Sequence, residues 1–161
     1  MNKLVIITGM PHSGKSTLLK ELQRNLPVAG FMFDNFHNID NMYKKFPRLA
    51  PAGIDLVNRA CQIIFGSVYY TFLDIVVEGV DFMSKEVLDI FVDKADNLNV
   101  DYKIFRLVIN HDKWINQVPE KFPMRKNRKF YENWEKFPKD ERLIEISNSK
   151  SIEDFLRRDN E

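Results

Sequence analysis

An apolar run, a glycine-bounded turn and an amphipathic helix follow one another without a gap over residues 3–26, and this order constrains the chain more than any other feature. Lys3–Thr8 reads KLVIIT, and Gly9-Met10-Pro11-His12-Ser13-Gly14-Lys15-Ser16 follows it directly. The eight residues satisfy G-x-x-x-x-G-K-[ST] at every fixed position. Glycine lets the backbone bend so that successive N–H groups converge on an anion, and a helix starting near Lys15 adds the positive end of its dipole. Leu18, Leu19, Leu22 and Leu26 share one helical face, Lys20, Glu21, Gln23 and Arg24 the other, and Pro27 ends the pattern. The unit predicted is strand, phosphate-cradling turn, helix.

In such a turn Gly9, His12, Ser13, Gly14, Lys15, Ser16 and Thr17 form the candidate nucleotide-binding set, with His12 at a variable position. Lys15 is the residue that reaches the β- and γ-phosphates. The Ser16 hydroxyl suits Mg²⁺, which takes oxygen ligands and is usually shared between protein and phosphates.

Composition narrows the class. A chain of 161 residues with 44% hydrophobic content is expected to form a single domain, residues 1–161, with one substantial core. Twenty-four Lys and Arg face 23 Asp and Glu, so the net charge of +1 gives no global attraction to nucleic acid or to an anionic membrane. A lone cysteine, Cys61, excludes an internal disulfide and a cysteine zinc site. The first apolar run is too short for a signal peptide, and no run approaches the ~18 apolar residues of a membrane span. A soluble, cytoplasmic protein without a membrane partner is expected.

Five strand-like runs alternate with helical patterns: Lys3–Thr8, Ala29–Phe33, Asp74–Glu78, Tyr102–Ile109 and Leu143–Ser147. The alternation predicts an α/β fold, a five-stranded, mostly parallel sheet with helices on both faces. Ile54, Val57, Cys61, Ile64, Phe65, Val68, Tyr69 and Phe72 recur at helical spacing and predict one long amphipathic helix, which Gly66 weakens without ending. Ser84 is placed to cap the next helix, with Glu86 in its first turn and Val87, Leu88, Phe91, Val92, Ala95 and Leu98 as its buried stripe. Ser151-Ile152-Glu153-Asp154 matches a loose capping box for the last helix. Two stretches do not read as core. Asn35–Ala52 looks like a covering connection. Lys113–Lys139 concentrates Lys121, Arg125, Lys126, Arg128 and Lys129 between prolines and among Trp114, Phe130, Tyr131 and Trp134, as a basic lid segment would.

In a doubly wound sheet ligands gather at the carboxyl ends of the strands, so the acids ending the second and third runs are candidates. Asp34 is the candidate general base for a hydroxyl acceptor, and a turn or cap carboxylate before Asn35 is its other reading. Glu78 would hold a Mg²⁺-bound water or a substrate hydroxyl, or else be satisfied by solvent or Lys15. Arg125 and Arg128 can follow the charge that spreads over a transferring phosphoryl group, and a solvated charged surface is their other, less favoured reading. Closing that segment would exclude water. Arg48 and Arg59 flank the presumed acceptor side and can anchor an anionic substrate or pair at the surface. Asn148 borders the base of a nucleotide by position alone. His12, His37 and His111 have no metal-ligand spacing.

The phosphate loop, the Asp after the second strand, the late basic segment and the last strand running into Asn148-Ser149 together resemble the small P-loop kinases: shikimate and gluconate kinases, chloramphenicol phosphotransferase and the kinase domain of polynucleotide kinases. The resemblance spans nearly the whole chain, and its one specific motif is the loop. It implies a P-loop NTPase three-layer sandwich and an ATP-dependent phosphotransferase. Lys15 and Ser16 take the phosphate and Mg²⁺ roles, Asp34 the base role, and Arg125 or Arg128 the lid role. ATP, Mg²⁺ and a small-molecule or nucleoside-like hydroxyl acceptor are the partners implied. The chain departs from the pattern in carrying Glu78 where many P-loop proteins carry Asp. Asn35-Phe36-His37 matches no acceptor motif, so the acceptor stays open, as does the oligomeric state. The alternative function is an ATP-binding regulatory or NTPase module without an acceptor. A polynucleotide 5′-hydroxyl kinase is a substrate variant, with nucleic acid the less favoured partner. Neither Asn-Lys-x-Asp nor Asp-x-x-Gly occurs, which argues against a GTP switch.

Overall fold

The computed structural model describes residues 2–33, 53–69, 71–122, 128–137 and 140–157. Five short apolar runs become the strands β1 (Leu4–Thr8), β2 (Val28–Met32), β3 (Asp74–Glu78), β4 (Tyr102–Leu107) and β5 (Leu143–Ile146). They form one sheet in the order β2-β3-β1-β4-β5, and every pairing among them is parallel. A parallel sheet has both faces covered, which is why its central strand reads as unbroken hydrophobe: all five residues of β1 are buried. The register pairs Ile7 with Glu78, Met32 with Glu78, Thr8 with Arg106 and Leu107 with Ile146, so the carboxyl ends of all five strands emerge on one rim. The order also reverses beside β1, the position where such sheets open a crevice.

Alternation along the strands splits the core into two layers. Leu4, Ile6, Ile75, Val77 and Ile104 face α2 (Gly53–Val68) and α3 (Lys85–Asn97), where Phe91 meets Phe82 edge-on at 4.9 Å between ring centres. Val5, Ile7, Val76, Phe105 and Leu107 face α1 (Lys15–Asn25) and α6 (Lys150–Arg157). This is the three-layer α/β sandwich expected. Cys61 is buried in α2 as its position predicts, and burial pushes its thiol up to about 11. Among the described residues no helix is long and apolar enough to cross a membrane.

The structure corrects four local readings. α2 stops at Val68, so Tyr69 and Phe72 leave the apolar stripe, and Phe72 is 90% exposed. Thr71 takes the Val68 carbonyl with both its N–H and its hydroxyl, which turns the chain toward β3 before the helical period can continue. Gly66 remains inside the helix. Ser84 occupies the position before α3, but its side chain makes no capping bond; its carbonyl receives Leu88 N–H instead. α6 begins at Lys150, one residue before Ser151, because Asn148 Oδ1 accepts the Lys150 N–H and Ser149 C=O the Glu153 N–H. Lastly, part of the segment 113–139 belongs to the core. α4 (His111–Gln117), the residue after it and α5 (Arg128–Glu135) contribute Trp114, Val118 and Tyr131 to a third apolar cluster with Met10, flanked by Phe122, Phe130 and Trp134. The stretch 35–52 lies outside the described residues.

Arg142, just before β5, donates to Asp140 and to Asp89 of α3, which is itself paired with Lys85. The Arg142 guanidinium holds the Asp140 carboxyl down to about 2. A carboxyl depressed in the folded state stabilises above its unfolded pKa of roughly 3.9, and that contribution disappears as pH falls toward the folded value. Urea titrations of the wild type and Asp140→Asn should therefore differ in midpoint at pH 6, with the difference closing between about pH 4 and pH 2.

Candidate active site

β1 delivers the chain into Gly9 at the rim. Gly9 has φ +149°, and a Cβ there would lie 2.7 Å from the Leu107 carbonyl oxygen, so the loop passes over β4 more closely than any side chain permits. Ser13 N–H closes a turn onto Met10 C=O, His12 takes φ +61°, and Gly14 at φ +99° turns the chain into α1. Gly14 has no side chain to cap the helix and the first turn of α1 carries no acid, so the first N–H groups of α1 and its positive dipole end are left for an anion.

Lys15 is buried and folds back over the loop, its Nζ donating to Met10 C=O at 2.8 Å and lying 3.5 Å from Ser13 Oγ. Glu78, 1% exposed at the end of β3, accepts the Ser16 hydroxyl on Oε1 at 3.1 Å. Its carboxylate is therefore satisfied inside the protein rather than by solvent. Thr8 Oγ1 donates to Gly79 C=O at 2.9 Å and ties the ends of β1 and β3 together beneath the loop.

These groups open onto a cleft of about 1430 Å³. His12, Ser13, Gly14, Lys15, Ser16, Thr17, Glu78 and Asn148 all line it, whereas Gly9 lies behind the loop against Leu107. Asn148 sits past β5, where its side chain also organises the start of α6. Arg59 lies on the exposed face of α2 and does not line the cleft. Arg128 opens α5, pairs with Glu132 one turn on at 3.2 Å, and its side chain is mostly exposed. Asp34, Arg48 and Arg125 lie outside the described residues.

Two residues outside the expected site set, Arg106 and Tyr131, belong to the walls of this cleft, and a third, Trp114, is buried behind its loop. Arg106 of β4 is 3% exposed and donates from Nη2 to the carbonyls of Trp134 and Glu135 at 2.9 and 3.3 Å, while its Nη1 meets no partner among the described residues. Tyr131 donates its hydroxyl to Ile109 C=O at 2.5 Å, and burial pushes this phenol above its ordinary pKa. Trp114 donates Nε1–H to Pro11 C=O at 2.9 Å. The signal for Arg106 was present: one cation within Ile104-Phe105-Arg106-Leu107-Val108-Ile109 must be paired if that run is a buried strand.

No protein-family model and no curated protein sequence matches the chain. Solved structures do superpose on it. The Mycobacterium tuberculosis APS kinase CysC in complex with AMPPNP and APS aligns with a TM-score of 0.65 at 12% identity, over 97% of this chain and 98% of that one. A gluconokinase from Sinorhizobium meliloti 1021 aligns at 0.58 and 12%, over 89% and 81%. Shikimate kinase from Aquifex aeolicus aligns at 0.55 and 14%, over 98% and 94%. This chain has the small P-loop kinase fold. The likeness is one of architecture, and within the small P-loop kinase fold the Gly9–Ser16 loop lies where β1 meets α1.

Gly9→Ala should destabilise the protein by about 1–3 kcal/mol, because φ is unfavourable and the new methyl meets backbone that cannot yield. Gly66→Ala, in open space within α2, should instead stabilise by roughly 0.5–1 kcal/mol. Urea midpoints of the two variants measured side by side check both signs.

Proposed function

We propose that the protein is an ATP-dependent phosphotransferase that moves the γ-phosphate of ATP to a hydroxyl of a small-molecule or nucleoside-like acceptor. The observation that carries this reading is the convergence of an uncapped helix N-terminus, the Lys15 ammonium and the Ser16–Glu78 pair on one cleft. The small-molecule kinases that share the fold support it, as does the AMPPNP bound in one of them.

In this reading the loop amides and the start of α1 bind the phosphates, and Lys15 leaves Met10 C=O to follow charge toward the γ-phosphate. Ser16 and Glu78 are an oxygen donor pair of the kind Mg²⁺ accepts. Among the described residues no group of three or more His, Cys, Asp or Glu could hold a metal. The ion would therefore be shared with phosphate and water, and when bound it neutralises phosphate charge. Asp34 takes the acceptor's proton. Support comes from its neighbour Phe33, whose N–H is fixed to Glu78 C=O at 2.8 Å, so the chain stands at the rim immediately before the proposed base. Arg125 or Arg128 acts from the segment 113–139 on the transferring group, Arg48 and Arg59 anchor an anionic acceptor, and Asn148 borders the base. Residues 1–161 act as one domain with that segment as its lid.

Turnover of γ-labelled ATP against sugars, nucleosides, antibiotics and oligonucleotide 5′ ends tests the proposal. Lys15→Ala should lower transfer by about 10²–10³-fold. Asp34→Asn should lower acceptor-dependent transfer by about 10²–10⁴-fold while ATP binding persists. A wild type that binds ATP yet shows no acceptor-dependent turnover across the panel would identify a nucleotide-binding module instead.

A further inference from the structure

We propose that Trp114 is a positioning residue for the phosphate loop, and that docking of the segment bearing α4 and α5 sets the loop shape that receives a nucleotide's phosphates. The proposal rests on the nucleotide-binding reading above and adds a coupling to it.

Three consecutive loop residues are held from one side. The Met10 side chain is buried against Trp114, Val118 and Tyr131. Pro11 C=O accepts the indole N–H of Trp114, a bond that spans 103 residues of sequence. The His12 ring meets the edge of Phe122 with centres 5.1 Å apart. Trp114 itself is fully buried, and a buried indole N–H needs an acceptor. Here that acceptor belongs to the loop rather than to the helix around it.

The two carbonyls at Met10 and Pro11 are held by different partners. Met10 C=O receives Lys15 Nζ and Pro11 C=O receives Trp114, so two successive peptide planes of the loop are each fixed by a side chain, one from α1 and one from α4. His12 adopts φ +61°, the left-handed conformation that non-glycine residues take uncommonly. The anchor is in turn fixed to the sheet. Asn110 Oδ1 caps α4 through the Lys113 N–H, Tyr131 holds Ile109 C=O, and Arg106 holds the last carbonyls of α5. A contiguous set of bonds therefore joins α5 to the loop, and any free energy by which docking favours phosphate binding acts equally in reverse.

Calorimetric titration with MgAMPPNP tests the coupling. Trp114→Phe keeps an aromatic ring and removes the N–H; affinity should fall about tenfold, the scale of one hydrogen bond. Val92→Ala serves as the stability control, since Val92 is buried in the layer under α2 and α3, away from the loop; affinity should stay within about twofold of wild type even if melting temperature falls as far. Equal affinity for Trp114→Phe and wild type, or an equal loss in Val92→Ala, overturns the proposal. Lys15→Ala separates the premises. If it weakens binding while Trp114→Phe does not, the coupling alone fails; if the wild type takes up no MgAMPPNP, the nucleotide-binding reading fails with it. Should Trp114→Phe not fold, benzothienylalanine in a Trp134→Phe background replaces the indole N–H by sulfur in a near-isosteric ring. The same tenfold loss is then expected, and unchanged affinity overturns the proposal.

Discussion

The passage of Gly9 over β4 is the contact on which the rest of the site depends. A clearance of 2.7 Å from a hypothetical Cβ to Leu107 O leaves room for hydrogen and nothing larger. That proximity lets the chain turn off the central strand immediately after Thr8, and only a turn this abrupt brings the start of α1 back over the rim of the sheet. The uncapped N–H groups, the Ser16 hydroxyl and the Glu78 carboxylate meet in one cleft because β1 ends where it does and β3 ends beside it.

The buried polar groups around that turn show how a sheet end becomes a site without losing stability. Burying an unpaired hydroxyl or ion is costly, and here the costs are offset locally. Thr8 bonds to Gly79, Ser16 to Glu78 and Lys15 to Met10. Each of these bonds joins segments that a ligand would also have to bring together. In the proposed function the Thr8 and Ser16 bonds hold the rim in place beforehand, while the Lys15 ammonium has to exchange Met10 C=O for the ligand.

The strands and the loop were legible because their signals are local: period, β-branched runs and fixed glycines. All five strands fall within one or two residues of the runs read from the sequence. What escaped was tertiary. Packing at the hinge of the segment is the reading the sequence favours for Trp114, Phe130 and Trp134, and they do pack; that they close over Met10 is not written in their spacing, because that partner lies a hundred residues away. The ends of helices were misread for a related reason. Thr71 and Asn148 capture backbone groups through side chains whose effect depends on where the next strand must begin, so the apolar stripe at Phe72 and the capping box at Ser151 pointed past the true boundaries. Arg128 carried the right charge for a lid, but its guanidinium meets Glu132 on the same helix face.

Arg106 gives the arrangement a mechanical character. Its guanidinium is fixed in the sheet while its acceptors are the final carbonyls of a helix from another part of the chain. Displacing α5 would take both carbonyl acceptors from a cation that is only 3% exposed. The two Arg106 bonds therefore act as a rivet between the central sheet and the end of α5.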